Sequence, residues 1–315
     1  MKSFTITHND SGQRVDKFIL KTFPKLPKSL MYKEIRKKNI KVNKKRTEPN
    51  AVLSEGDVIE LYLKDEVLEE KPKHYDFTGA SKRLDIVYED ENILLLNKKA
   101  GLLCHPDGNE YVDTLISRVK RYLYDKGEWS PEDSSTFTPS LANRIDRNTS
   151  GIVIAAKNAE ALRILNEKIK SREIEKHYIT AVHGKMKKES DTLTAYLSKD
   201  EKRNMVTVSG TEFEGAKKIV TQYKVLDYSN NITLLEIDLK TGRTHQIRAH
   251  LAHIGNPIVD DGKYGKNHGR SRQALCSYKL VFNMKDAGIL DYLCGKEFEI
   301  KDCEIINNFK ENRYE

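Results

Sequence analysis

The sequence predicts an α+β fold in two domains: a small N-terminal α/β domain, then a larger domain with a mixed, largely antiparallel sheet flanked by helices and loops. Helical and strand patterns do not alternate regularly, which disfavours a doubly wound parallel sheet. The 315 residues exceed the roughly 100 to 200 of a typical single domain. The sequence has no Gly-rich nucleotide loop and no GxSxG elbow, so nucleotide cofactors and serine-hydrolase chemistry are unsupported.

The N-terminal domain is expected to span residues 12–64. Apolar side chains at helical spacing predict a first helix over 14–23, which Pro24 ends. A second helix is predicted from Ser29, as its N-terminal cap, to Lys38. Short strands are then predicted at 40–42, around Val52 and at 58–63.

Positive charge is concentrated in this domain. Between Lys25 and Arg46 ten basic residues accompany Glu34 alone, which gives the segment +9 while the rest of the chain sums to about −1. A compact basic face is typical of proteins that bind polyanions, because it attracts phosphates over a long range. The alternative is a solvated lysine-rich surface that improves solubility.

A linker and a larger domain are expected to follow. Residues 65–81 combine acidic residues, Pro72 and Gly79 with little apolar periodicity, which predicts a linker, and the larger domain is expected at 82–309. Its predicted elements are strands at 86–89 and 93–97, a helix at 113–124, a strand at 151–156, a helix at 159–170 and mainly strands up to Leu239. The last six residues are expected to fray, whereas four C-terminal side chains are expected to pack onto the domain: Tyr292, Leu293, Phe298 and Ile300.

Composition excludes several classes of protein. Hydrophobic residues make up 38% of the chain and charged residues 32%, as in soluble globular proteins. No run approaches the roughly 18 apolar residues of a membrane span, and residues 1–14 lack the apolar segment of a signal peptide, so we expect a cytoplasmic protein with no membrane contact. The four cysteines form no CxxC pair and are expected to be reduced, partly buried thiols: Cys104, Cys276, Cys294 and Cys303.

The leading candidate for a functional residue is Asp146. It lies in the run 143–151, Asn-Arg-Ile-Asp-Arg-Asn-Thr-Ser-Gly, which leads into an apolar strand at 152–156. Arg144 and Arg147 flank it, and the short polar side chains that follow suit a tight loop. The pattern fits either a reactive carboxylate presented at the edge of a buried strand or an ordinary turn before a strand.

Three further segments carry candidate side chains. Residues 174–179 form a predicted strand on which Tyr178 can face a cleft. Residues 241–250 run from a turn into a short helix that carries Arg248, and residues 256–265 form a turn-rich loop. Each alone also suits a structural role, since a strand tyrosine is often core and a basic helix face is often solvated.

Histidines at 245, 250 and 253 raise the question of a zinc site. The spacing of His250 and His253 allows two ligands on one helix face, but the sequence has no HExxH motif and no nearby cysteine pair. A zinc site is therefore disfavoured.

Four pieces of the N-terminal domain occur in a characteristic order: Gln13 to Phe18, then Lys28-Ser29, then Val42-Asn43, then Glu55-Gly56-Asp57. This order resembles the small RNA-binding domain of the ribosomal protein S-four type. The resemblance implies a helix pair whose basic surface contacts structured RNA mainly through shape and phosphate positions. The residues expected to bind RNA are Arg14, Lys28, Lys33, Arg36, Lys37, Lys44, Lys45 and Arg46.

The larger domain also has a characteristic order of motifs: the Asp146 loop, a Lys-x-Tyr strand ending at Tyr178, the segment 242–250, a Gly-Asn-Pro-Ile turn at 255–258 and the run 261–265. In this order and spacing it resembles the RluA family of pseudouridine synthases. With the N-terminal domain, the resemblance covers nearly the whole chain and looks closest to RluC-like members, which modify large-subunit ribosomal RNA. Asn143 stands where the family more usually has histidine; it keeps hydrogen-bonding ability but loses titration.

The resemblance implies a reaction that cuts the bond between uracil and ribose, turns the base and rejoins it through carbon five, with no metal or organic cofactor. Asp146 is implied as the catalytic nucleophile or base, Arg248 as its partner, and Tyr178 as the ring that stacks on uracil and assists proton removal from carbon five. Residues implied to bind the flipped-out substrate are Arg144, Arg147, His105 and Ile247.

We therefore expect a monomeric RNA pseudouridine synthase that acts on 23S ribosomal RNA, either free or in an assembling subunit. One alternative is an RNA-binding or ribosome-assembly protein whose larger domain only docks, which the presence of Asp146, Tyr178 and Arg248 argues against. Another is the same chemistry on transfer RNA, and the N-terminal domain favours a larger RNA.

Overall fold

A computed structural model of the chain confirms the predicted α+β fold. A four-stranded sheet forms the N-terminal part, and an eleven-stranded mixed sheet carries the rest. The described residues are 1–63, 68, 76–108, 110–132, 136–201, 203–265 and 272–314. Most of the predicted linker, residues 65–67 and 69–75, lies outside them. No helix within these ranges combines the length and apolar character needed to cross a membrane.

The N-terminal sheet packs against two helices. Its strands, in the order β1-β4-β2-β3, are all antiparallel to their neighbours, and the apolar faces of the helices share one buried core with Ile59. The elements are β1 (Lys2–Thr5), α1 (Val15–Thr22), α2 (Lys28–Arg36), β2 (Ile40–Val42), β3 (Lys45–Arg46) and β4 (Val58–Leu61).

Three details of this part differ from the sequence predictions. The sheet takes a further strand, β1, from residues before Gly12. The N-cap of α2 is Pro27 rather than Ser29, because Pro27 with its fixed φ of −61° starts the helix earlier. Val52 forms only an isolated bridge with Arg14.

The larger part of the chain supplies the remaining elements. Before the centre of the sheet come β5 (Ile86–Glu89), β6 (Ile93–Lys98), α3 (Leu115–Asp125), β7 (Ser140–Leu141), β8 (Ser150–Ala156) and α4 (Ala159–Lys170). Five strands follow: β9 (Ile174–His183), β10 (Ser190–Asp200), β11 (Met205–Ser209), β12 (Lys217–Ser229) and β13 (Ile232–Asp238). The chain continues through α5 (Gln246–His253), β14 (Leu275–Phe282), β15 (Glu297–Glu299) and α6 (Glu304–Lys310).

The sheet order is β11-β10-β12-β13-β9-β14-β8-β6-β5, with β15 on β14 and β7 on β8. Among the described strands, β8 and β14 form the parallel pair, and the other pairings are antiparallel. Strand β8 is buried on both faces: Val153 packs in the core with α3, whereas Ile152 and Ile154 pack in the core with α4. Burial on both faces explains why this strand is a continuous apolar run in the sequence.

Gly151 is required at the start of β8. Its φ is +118°, and a Cβ atom built there would lie 2.3 Å from the carbonyl oxygen of Ser277 in β14. Only glycine allows the two parallel strands to approach this closely. The loop that precedes β8 therefore ends at a fixed point.

Part of the C-terminal region packs as predicted. Leu293 is fully buried in the core with α4, and Phe298 and Ile300 pack against the same core. Tyr292 is exposed, and its hydroxyl contacts Asp90. The predicted fraying is wrong for Tyr314, which packs against the core around β9.

Candidate active site

The loop that carries Asp146 connects β7 to β8 and is anchored by a buried lysine. Thr149 N–H donates to the Asp146 carbonyl over 3.1 Å, which closes a turn within the loop. Beneath it, Lys98 at the end of β6 donates to the carbonyl oxygens of Arg147 (2.9 Å) and Leu102 (2.8 Å). Lys98 is 1% exposed, and burial lowers its pKa to about 8. Its ammonium thus ties the loop to the turn after β6.

Arg248, on α5, binds two carboxylates at once. Its Nη1 donates to Asp146 Oδ2 over 2.8 Å, although the two residues are 102 positions apart. On the other side, Nε and Nη2 donate to the two oxygens of Asp261 over 2.8 and 2.9 Å. Exposed fractions are 0% for the Asp261 side chain, 9% for Arg248 and 27% for Asp146. Of these three charged side chains, Asp146 is therefore the one most exposed to solvent.

Asp261 holds Arg248 in place. Burial alone would raise the pKa of Asp261, but the hydrogen bonds and charge of Arg248, with the backbone N–H groups of Lys263 and Tyr264, hold it below its usual range. Burial would likewise lower the pKa of Arg248, but Asp261 and then Asp146 raise it above its usual range. Each buried charge is thus compensated by fixed partners, as buried ions require.

Tyr178 lies on β9 and faces the same site. Its side chain is only 6% exposed. Burial, followed by the negative charge of Asp146, raises its pKa well above the usual range, so the phenol is protonated at neutral pH. Lys176 lies two residues earlier on the same face of the strand, and its ammonium has no hydrogen-bond or ion-pair partner among the described residues.

These side chains line a cavity of about 510 Å³. Asp146, Tyr178 and Arg248 all border it, and so do three of the predicted substrate-binding residues: Arg144, His105 and Ile247. Burial, followed by the charge of Arg144, lowers the pKa of His105.

Arg147 does not border this cavity. It lines a neighbouring cavity of about 310 Å³, and its Nε donates to the Gly101 carbonyl over 3.1 Å. The reason is that Lys98 draws the Arg147 carbonyl inward, which directs the chain at that position toward the turn after β6. Arg144 and Arg147, which flank Asp146 in the sequence, therefore border two different cavities.

All eight predicted RNA-binding residues of the N-terminal part are exposed, and some have acidic partners. Arg14 donates to both oxygens of Asp16 over 3.1 and 2.6 Å. Lys37 and Arg46 lie 3.6 and 3.3 Å from the carboxylates of Glu34 and Glu48. In the described part of the chain, five of the exposed side chains have no such pair: Lys28, Lys33, Arg36, Lys44 and Lys45. Of these, Lys28 lies over the Tyr32 ring.

Sequence reasoning missed several residues around Asp146. Lys98, Lys176 and Tyr264 received no role, and Asp261 was only part of a motif. In the structure, His245, the N-cap of α5, and Asp260, beside Asp261, both have positive φ angles, +52° and +58°, that few non-glycine residues adopt.

Two of the three histidines considered for zinc lie within hydrogen-bond distance of protein hydroxyl groups. His245 Nδ1 lies 2.8 Å from the Tyr264 hydroxyl, and His250 Nδ1 lies 3.0 Å from Thr221 Oγ1. A different set of ligand-type atoms, from Glu175, His177 and Asp238, lies within 4.8 Å of one another. In that set Asn283 donates to Glu175 over 2.8 Å and Lys240 contacts Asp238, so both carboxylates already have partners.

The buried histidines predict acid sensitivity. Burial lowers the pKa of both His245 and His250 to about 4, against about 6.5 in an unfolded chain. Between these values the unfolded chain binds protons that the folded chain does not, so stability falls as pH drops from about 6.5 to 4. Between pH 7 and pH 5, the unfolding free energy of the parent should fall by about 2 kcal/mol more than that of the His250→Gln variant. Urea titrations at both pH values measure this, and parallel losses in the two proteins would contradict it.

Comparisons with known proteins identify the family of the chain. The family model for RNA pseudouridylate synthase matches residues 92–253, just over half of the chain. An uncharacterised RNA pseudouridine synthase of Mycoplasma genitalium is 34% identical over 89% of this chain and 88% of its own length. Ribosomal large subunit pseudouridine synthase C of Haemophilus ducreyi is 32% identical over 89% of this chain and 87% of its own.

The fold is also found in solved structures. Human RNA pseudouridylate synthase domain containing 4 superposes with a TM-score of 0.56 at 18% identity, over 73% of this chain and 94% of that one. Human RNA pseudouridylate synthase domain containing 1 gives 0.53 at 20% identity, over 76% and 96%. The region matched by the family model runs from the turn before β6 to the end of α5 and thus includes Asp146, Tyr178 and Arg248. By its family match and its relatives, the chain belongs to the RNA pseudouridine synthases of the RluA type.

Proposed function

We propose that this protein converts specific uridines of 23S ribosomal RNA to pseudouridine, with Asp146 as the catalytic carboxylate. The observation that carries the proposal is the 2.8 Å contact between Asp146 and Arg248 at the wall of the 510 Å³ cavity. A cavity of this size lies within the range of roughly 300 to 1,000 Å³ that small-molecule sites occupy. One nucleotide flipped out of folded RNA would fill it.

The proposed residue roles follow from charge and burial. Asp146 acts on the ribose as nucleophile or base, and Arg248 fixes the carboxylate in position. The bond between uracil N1 and ribose C1′ breaks, the base turns, and a bond between carbon five and C1′ forms. Carbon five then loses its proton to solvent, and N1 gains a proton, so the product is an isomer of the substrate. Tyr178 supplies a protonated phenol whose ring can stack on the uracil.

Two observations support ribosomal RNA as the substrate. Several relatives at 31–34% identity are named ribosomal large subunit pseudouridine synthase C. The basic N-terminal domain, which we propose spans residues 12–64 and binds RNA as an S-four-type domain, suits a large structured RNA. The catalytic domain is proposed at 82–309.

Pseudouridine mapping tests the proposal. Ribosomal and transfer RNA from cells with and without the gene are compared, and we expect particular 23S sites to disappear and return when the gene is restored. Loss of transfer RNA sites alone would overturn the proposed substrate. Loss of no site, with no hydrogen released from carbon-five-labelled uridine in RNA by purified protein, would overturn the proposed activity.

The role of the N-terminal domain has its own prediction. The Lys33→Gln/Arg36→Gln variant removes two exposed charges of α2. RNA affinity should fall, and the slope of log affinity against log salt should decrease by roughly 0.7 to 0.9 for each phosphate that the variant no longer neutralises. Filter binding over a salt series measures the slope, with Lys187→Gln, an exposed lysine of the larger domain, as control. An unchanged slope would remove α2 from the RNA interface.

A further inference from the structure

A gap between His245 and Asp146 opens onto the cavity. His245 Nε2 lies 3.9 Å from Asp146 Oδ2, and both residues line the cavity. This separation is too long for a direct hydrogen bond, which requires about 2.7 to 3.2 Å. One small atom placed beside both groups could bond to each of them.

The hydrogen-bond network favours Nε2 as the nitrogen of His245 that carries the proton. Val206 N–H donates to the Tyr264 hydroxyl oxygen over 3.0 Å. The hydroxyl proton of Tyr264 is then free to point at His245 Nδ1, 2.8 Å away. With Nδ1 as acceptor, the neutral imidazole carries its proton on Nε2. Burial lowers the pKa of His245 to about 4, so this neutral form persists at pH 7.

The two sides of the gap define their ligand. Asp146 offers a carboxylate oxygen that only accepts, whereas His245 Nε2–H only donates. Among the groups of a nucleotide, a single atom that can donate to one side and accept from the other is a hydroxyl oxygen. Uracil places its N–H donor and carbonyl acceptors on different atoms. In an RNA chain the 3′ and 5′ oxygens are esterified, so the ribose hydroxyl that remains is the 2′-hydroxyl.

We infer that His245 is a substrate-contacting residue that, together with Asp146, binds the 2′-hydroxyl of the target uridine, and that Tyr264 is a positioning residue that sets the His245 tautomer. The inference rests on the proposed function. It supplies a means to distinguish RNA from DNA at the reacting nucleotide, because the 2′-hydroxyl is the group that differs. It also places the hydroxyl beside the two ribose carbons on which Asp146 could act.

The test is a double-mutant cycle on an inert ligand. The ligand is the product RNA, an oligonucleotide of the mapped site with pseudouridine at the target, made with and without its 2′-hydroxyl. We expect His245→Ala to weaken binding of the hydroxyl-bearing RNA about tenfold, the size of one hydrogen bond, and to leave binding of the deoxy RNA unchanged. Equal weakening of both RNAs would show that His245 only supports the fold, and weakening of neither would remove it from the site.

Two further variants separate contact from positioning. His245→Gln keeps a side-chain N–H near the Nε2 position. It should restore most of the preference for the hydroxyl, which is the ratio of the affinities for the hydroxyl-bearing RNA and the deoxy RNA. Tyr264→Phe keeps the ring over Arg248 but removes the hydroxyl, so the preference should fall in the parent and stay unchanged in the His245→Gln background. An equal effect of Tyr264→Phe in both backgrounds would overturn the positioning role.

His250→Gln is the matched control, since His250 is a buried histidine of the same helix that bonds Thr221 and does not line the cavity. Its preference for the hydroxyl should equal that of the parent. If the parent converts no RNA in the mapping experiment, the proposed function fails. If the parent converts RNA but the cycle shows no coupling, this inference alone fails.

Discussion

Replacing Asp146 by asparagine is expected to lower turnover by roughly 10³-fold or more while RNA affinity changes little. Asparagine has the same shape, and its amide oxygen can still accept the 2.8 Å hydrogen bond from Arg248 Nη1. It cannot act as a base or as a carboxylate nucleophile, so the loss should fall on the chemical step. Hydrogen released from carbon-five-labelled uridine measures turnover, and filter binding measures affinity.

A matched control keeps this experiment specific. Asp191→Asn neutralises another carboxylate, one that pairs with Lys188 and does not line the cavity, and should leave turnover near the parent value. If Asp146→Asn retained turnover, Asp146 would lose its central role. If it lost turnover and RNA affinity together, its effect would be on binding or folding.

Replacing Arg248 by methionine should damage both folding and turnover. The Asp261 side chain, 0% exposed, would lose its two-point partner. Breaking a buried ion pair by removing one member costs about 3 to 5 kcal/mol, because the remaining charge is uncompensated. Asp146 would also lose the group that holds its carboxylate. Urea unfolding and the hydrogen-release assay measure the two effects.

A second substitution separates those effects. In the Arg248→Met/Asp261→Asn variant no buried charge is left at Asp261, so much of the lost stability should return while turnover stays low. Arg248→Lys should also have low turnover, because an ammonium cannot bind two carboxylates with the fork geometry of a guanidinium. Parent-like turnover in the double variant would mean that Arg248 acts only through stability.

Periodic segments of the sequence predicted the fold well. The helix at 159–170 matches α4, and the apolar run before Lys157 matches β8, because burial imposes a strong pattern on both. The cap of α2 and strand β1 were not predicted correctly, since a proline start and a short edge strand leave weak local signals. The partner order of the sheet could not be predicted, because pairing between β8 and β14 joins segments more than a hundred residues apart.

Some features of the candidate site could likewise be predicted from the sequence, and others could not. The sequence by itself determined the residue types and their order: an aspartate in a tight loop, a strand tyrosine and a helix arginine, with a basic segment before them. Only the tertiary structure decided that Arg248 bridges Asp146 to a fully buried Asp261, that Arg147 turns away from the cavity, and that His245 faces Asp146. The physical reason is that charge compensation depends on distance and burial, and packing sets both.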